Sequence, residues 1–176
     1  MTKHYVNSKK NRVKSFIYPF YKEGRFWLFI LIDLILIKVN KKRKKNFKYQ
    51  VCLIRTDAIG DFILWMPFLF NLINIFHGKN ILLVYNSANK SIVDGLNFGG
   101  EINCIPLNIH RYEHEIKYRC KFNLNLASFY IDTVINPIRS RSGPIDDSVA
   151  NAITSDCKIT TASDFINASK VSSYFI

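Results

Sequence analysis

Short apolar runs alternate with longer helical stretches along most of this chain. Lys48 to Arg55, Asn80 to Tyr85, Ile102 to Pro106 and Tyr130 to Asn136 are rich in Val, Ile, Leu and aromatic residues. Runs of that length and composition predict β-strands. Asp61 to Phe76 reads as a helix, with Pro67 acceptable only near its first turns. Ala88 to Leu96 is a short helix, stopped at Gly95 or at Gly99-Gly100. Tyr112 to Leu126 reads as one further helix, and Arg139 to Pro144 as a polar loop. A helix starts at Asp146 and runs to Ala152, with Asp146 in the capping position, and Lys158 to Thr161 is a fifth strand. Nothing in 163–176 reads as a closing element. Strands alternating with helices, the strands apolar enough to be buried on both faces, predict an α/β fold: a Rossmann-like, doubly wound parallel sheet.

The first part of the chain follows another pattern. Between Ser15 and Val39, the run Phe26-Trp27-Leu28-Phe29-Ile30-Leu31-Ile32 is followed by Asp33 and then by Leu34-Ile35-Leu36-Ile37. Asp33 splits the run into stretches too short for a bilayer, which takes about 20 apolar residues. Lys38 and Lys41-Lys42-Arg43-Lys44-Lys45 come next. A basic amphipathic helix of this kind fits an anionic membrane surface, contacted through residues 15–48. A helix packed on the domain, with the lysines as a solvated linker, fits the same pattern. The chain thus divides into an N-terminal extension (1–47), a Rossmann-like domain (48–162) and a last segment (163–176) that is a tail or the start of a missing interdomain region.

Charge sharpens this division. The net charge is +12, and residues up to Lys48 hold 14 Lys and Arg against only Glu23 and Asp33. From Tyr49 onward there are 11 basic and 11 acidic side chains. A neutral body argues against a nucleic-acid groove spread over the domain and leaves nucleic acid as a partner of the basic arm alone. The cysteines, Cys52, Cys104, Cys120 and Cys157, are widely spaced and read as reduced thiols. His110 and His114 are one helical turn apart but lack an evident third metal ligand.

In parallel sheets ligands bind beyond the carboxyl ends of the strands. Two such loops carry chemistry: Arg55-Thr56-Asp57-Ala58-Ile59-Gly60-Asp61, and Asn136 to Gly143 with Arg139, Ser140, Arg141 and Ser142. Gly60 allows a tight turn or close backbone approach. Asp61 stands at a helix start, where the dipole favours the ionised form. There it serves as a cap or as a base for an attacking hydroxyl. Asp57 is a second carboxylate or a partner for turn amides. The arginines and serines of the second loop suit a phosphate or carboxylate, or face water. Trp65 and Phe68 to Phe70 read as core. Neither the dinucleotide GxGxxG pattern nor the P-loop pattern is present.

A strand ending in Arg55, the triplet Ile59-Gly60-Asp61, an apolar helix and Pro67 resemble glycosyltransferase family 9, the heptosyltransferase-like enzymes of lipopolysaccharide core assembly. Ile131 to Pro137 is similar to a later strand and loop of that family, and the resemblance covers roughly Lys48 to Ser163. It implies the N-terminal half of a GT-B fold, the half that binds the acceptor. It also implies inverting, metal-independent transfer of a sugar from a nucleotide-sugar to a glycolipid acceptor, with no cofactor. Asp61 would be the general base, and Arg55, Thr56, Asp57, Gly60, Arg139, Ser140 and Arg141 would contact the acceptor. The donor-binding half would lie outside these residues, so this chain alone is expected to be inactive. Expected localisation is cytoplasmic, peripheral on the inner face of the cytoplasmic membrane. The alternatives are a non-catalytic glycan- or protein-binding half-domain and a basic-arm nucleic-acid binder.

Overall fold

The structure, a computed structural model, describes residues 24, 27–36, 38, 47–76, 80–96, 98, 102–138 and 142–160. The tail from 161 onward, Arg139, Ser140 and Arg141, and most of the basic arm lie outside the described residues.

Five parallel strands form one sheet: β1 (Phe47–Arg55), β2 (Ile81–Asn86), β3 (Ile102–Leu107), β4 (Phe129–Asn136) and β5 (Thr154–Thr160), in the order β3-β2-β1-β4-β5. β1 lies in the middle, with Leu53 in register with Leu83 of β2 and Ile135 of β4. Its alternating side chains feed two cores. Val51 and Leu53 meet Phe62, Leu69 and Leu72 of α2 (Ile59–Ile75) and Val93 of α3 (Lys90–Gly95) on one face. Cys52 and Ile54 share the other face with Tyr112 of α4 (Ile109–His114), Phe122 and Leu126 of α5 (Ile116–Leu126), and Val149 of α6 (Ser148–Ala152). Right-handed crossovers dictate this split: helices joining β1 to β2 to β3 cover one face, and those leading to β4 and β5 cover the other. The chain reverses direction across the sheet between β1 and β4, so their carboxyl ends open onto a crevice.

An outer helix, α1 (residues 27–36), packs on the second face by burying Phe29 and Asp33. The Asp33 carboxylate accepts hydrogen bonds from Arg119 Nε at 3.1 Å, Asn123 Nδ2 at 3.0 Å and Ser148 Oγ at 2.7 Å. Arg119 Nη2 is also paired with Asp33 and donates to the Pro144 carbonyl at 2.7 Å. The guanidinium lies between the Phe29 and Tyr112 rings, 4.9 and 4.4 Å from their centroids. Among the described residues no helix is long and apolar enough to cross a membrane.

Several elements differ from their sequence readings, each for a local reason. The helix expected over Tyr112 to Leu126 is two helices, because Glu115 is extended (φ −113°, ψ 104°). Its carboxylate folds back onto Arg111, while Asn108 Oδ1 accepts from Arg111 N at 2.9 Å and starts α4 early. α2 begins at Ile59, so Pro67 falls in mid-helix. There it cannot donate to the Ile63 carbonyl, and both residues are exposed, so water can take the bond. The short helix after β2 opens with a 3₁₀ turn, Ser87–Asn89. β5 starts at Thr154, four residues earlier than its apolar content suggested, because it is a largely exposed strand with little burial to pattern it. All four cysteines are free thiols. His110 and His114 stack at 4.4 Å, with His114 Nδ1 2.9 Å from the His110 carbonyl. Among the described residues no group of three or more His, Cys, Asp or Glu is gathered for a metal.

Candidate functional site

At the crevice between β1 and β4 lies a cleft of about 430 Å³, within the usual range for small-molecule sites. Arg55, Asp57, Asp61, Leu64, Trp65, Pro137 and Ile138 line it. Three charged groups face an apolar wall that contains one indole. Such a lining suits a ring with polar edges and an apolar face.

The strand delivers Arg55 to the floor, where it is 5% exposed. Its Nη2 is ion-paired with the Asp57 carboxylate and donates to the main-chain oxygen of Asp61 at 3.3 Å. The guanidinium also lies 4.8 Å from the centroid of the Trp65 ring. Arg55 therefore ties the turn to the first coil of α2. The main-chain oxygen of Asp57 accepts from Asn86 Nδ2 at 3.3 Å, at the end of β2, and from Asn89 Nδ2 at 3.4 Å, in the 3₁₀ turn that follows it. Burial raises the Asp57 carboxyl above its ordinary value, with Arg55 pulling the other way.

Asp61 is exposed at the cleft mouth in the first turn of α2. The helix cap is Ala58, and it makes no side-chain cap bond, so capping is not the role of Asp61. Its carboxylate is free to face a ligand at the positive end of a 17-residue helix. Gly60 has ordinary helical backbone, and a Cβ built there would meet nothing within 4 Å. The tight turn expected of Gly60 is therefore not what it supplies; it leaves open space beside Asp61.

Three buried polar atoms around the crevice have no hydrogen-bond partner among the described residues: Arg55 Nε, Asp57 Oδ1 and Asn136 Nδ2. An unmet buried polar atom costs about 1–3 kcal/mol. Two donors and one acceptor left over beside a cleft point to a polar occupant.

Asp146, read from sequence as a helix cap, does other work. It lies in a one-turn π-helix, Gly143–Asp147. Its carboxylate accepts from the Thr56 hydroxyl and from Ser142 N, the latter at 2.7 Å. Thr56 thus holds the second loop against the first, rather than facing the cleft. Burial raises the Asp146 carboxyl to about 6, with the Thr56 and Ser142 bonds opposing that rise and Asp147 and Asp57 adding to it. Because the pKa is raised on folding, the native state holds this proton more tightly than the unfolded chain. This group's contribution is thus fully present below about pH 4 and is lost as pH rises to about 6, by about 2–3 kcal/mol. A carboxyl-detected NMR titration should place the Asp146 midpoint near 6. Thr56→Val, which removes a bond to the ionised form, should move that midpoint higher; a midpoint near 4, or a downward move, would contradict the geometry.

Trp65, Phe68 and Phe70 were expected in the core. Trp65 is half-buried, packed against the core while it walls the cleft, and Phe68 and Phe70 are exposed, leaving Leu69 fully inside. α2 covers the sheet with a stripe of Phe62, Leu69 and Leu72, flanked by half-buried Trp65, Met66 and Ile73, so Ile63, Leu64, Phe68, Phe70 and Ile75 turn outward. Arg55, Asp57 and Asp61 come together at the cleft, whereas Gly60 is not part of its lining. The positioning residues Asn86, Asn89 and Asp146 were missed. A signal existed for the first two in the polar run Asn86-Ser87-Ala88-Asn89 directly after a strand, at the end of the sheet where loops carry sites. No family model matches this chain, and neither a curated protein nor a solved structure matches it.

Proposed function

We propose that this chain is the acceptor-side half of an inverting glycosyltransferase of the heptosyltransferase kind, with the nucleotide-sugar held by a second domain. The observation that carries this reading is the free Asp61 carboxylate at the mouth of a cleft floored by Arg55 and Asp57 and walled by Trp65. It stands with the Ile59-Gly60-Asp61 and Pro67 pattern described above. An acceptor sugar would stack its apolar face on the Leu64–Trp65 wall and offer hydroxyls to the polar floor. Asp61 would take the proton of the attacking hydroxyl as its oxygen bonds the anomeric carbon of the donor. The anomeric carbon–oxygen bond to the nucleotide diphosphate would break on the opposite side. That geometry inverts the centre and leaves the proton on Asp61.

Binding to the cleft can be tested on this chain by itself. Titrating isotope-labelled protein with a phosphorylated lipopolysaccharide-core oligosaccharide should shift the amides of Arg55, Asp57 and Asp61 and the Trp65 indole. Saturation is expected at millimolar concentration or below. No saturable shift at these residues would refute the acceptor assignment. Saturation by a nucleotide-sugar alone would reassign the cleft to the donor. Core binding by the unaltered chain, with no transfer when a donor domain is supplied, would identify a non-catalytic glycan binder.

A further inference from the structure

The second face of α1 has no place in the reading above. Phe29 and Asp33 point to the body, while Trp27, Leu31, Leu34 and Ile35 point away from it, and all four are exposed. Leu28 extends that stripe. Exposures of 60% at Trp27, 55% at Leu31 and 53% at Ile35 make this a continuous apolar surface on the outside of the molecule. Asp33, the one charge in the run, is 3% exposed and spent on Arg119. The residue that breaks the run in sequence is therefore absent from the exposed side. Exposed apolar stripes of this kind mark contact with another phase or molecule.

Charge decides which contact. The chain following α1 carries Lys38, Lys41, Lys42, Arg43, Lys44, Lys45 and Lys48, and the body from Tyr49 onward has no net charge. A second copy would bring two such runs together and be repelled. An anionic bilayer takes both features at once: the apolar side chains enter the headgroup–acyl boundary and the lysines meet the phosphates. We infer that the outward face of α1, through Trp27, Leu31, Leu34 and Ile35, docks this protein on an anionic lipid surface without crossing it.

The anchor beneath that face gives docking a consequence. Asp33 is bonded to Arg119, and Arg119 to the Pro144 carbonyl in the turn that also holds Asp146 against Thr56. A lipid-bound α1 is thereby fixed beside the turn that neighbours the cleft. This suits an acceptor presented by the same surface, although the docking itself does not depend on the sugar-transfer reading.

The test is cosedimentation of the full chain with vesicles of phosphatidylglycerol and phosphatidylcholine, against phosphatidylcholine alone. Binding should be at least about tenfold stronger with the anionic lipid and should weaken with salt. Leu31→Glu and Ile35→Glu should each weaken it about tenfold or more. Both residues are exposed, so unchanged near-UV circular dichroism should accompany the loss. In a Trp65→Phe background, Trp27 emission should shift to the blue on adding vesicles. Asp61→Asn should sediment like the unaltered chain, which separates this inference from the catalytic one. Equal binding of the two glutamate variants and the unaltered chain would overturn it. So would a chain that ignores vesicles but binds an oligonucleotide at low salt, or one that self-associates through Leu31 in their absence.

Discussion

Asp33→Ala is expected to destabilise the fold by about 3–5 kcal/mol, because it leaves a buried guanidinium without its counter-charge. Arg119 is 1% exposed and 86 residues away in sequence. It donates to Asp33 through both Nε and Nη2, and its Nη1 already has no partner among the described residues. Removing the carboxylate also takes an acceptor from Asn123 and Ser148. The loss is a large part of the 5–15 kcal/mol that holds a typical domain together. It should appear as a fall of about 10 °C or more in melting temperature and a matching shift in the urea midpoint.

The companion double variant decides why. Replacing both partners with apolar side chains, Asp33→Leu with Arg119→Met, should recover most of the loss, because burying two charges offsets much of what their pairing contributes. A double variant no better than Asp33→Ala would mean that the bonds to Pro144, Asn123 and Ser148 carry the stability and the charge pair does not. A single variant within about 1 kcal/mol of the unaltered chain would mean that α1 is only loosely attached.

The same pair shows where sequence reasoning reaches its limit. A buried strand declares itself locally, so the apolar runs of β1 and β2 were legible, and with them the parallel α/β class. The cleft's Arg55, Asp57 and Asp61 were legible for the same reason, since all three lie in one turn between a strand and a helix. Asp33 was legible only as an interruption. Its meaning depends on Arg119, Asn123 and Ser148, which meet it through the packing of two other helices, α5 and α6. Asp146 was misread likewise: local rules make an acid before a helix a cap, while its actual donor, Thr56, is 90 residues distant. Phe68 and Phe70 were assigned to the core because helical spacing cannot say which stripe of an evenly apolar helix faces the sheet. Sheet order was beyond reach too, as it is set by pairings such as Leu53 with Ile135 that no local pattern encodes.

Asp61→Asn should lower sugar transfer by about 10²–10⁴-fold, the usual range for loss of a positioned general base, when the donor-binding half is supplied. The amide has nearly the same shape but cannot accept the hydroxyl proton. Arg55 bonds the main-chain oxygen of Asp61 and not its carboxylate, so the substitution leaves the floor of the cleft intact. The fall should therefore be in kcat, with the acceptor KM changed by less than about threefold. Asp57 is the rival base, and its geometry argues against it. Its carboxylate is half-buried and held in place through Oδ2 by Arg55, and the same residue's carbonyl is held by Asn86 and Asn89. Asp57→Asn should accordingly release Arg55, loosen the loop and raise the acceptor KM more than it lowers kcat. If Asp61→Asn kept most of its turnover while Asp57→Asn abolished it with KM unchanged, the proton would belong to Asp57. If neither variant altered turnover, chemistry would have to be sought outside this cleft, and the free carboxylate at its mouth would be a contact for the ligand and no more.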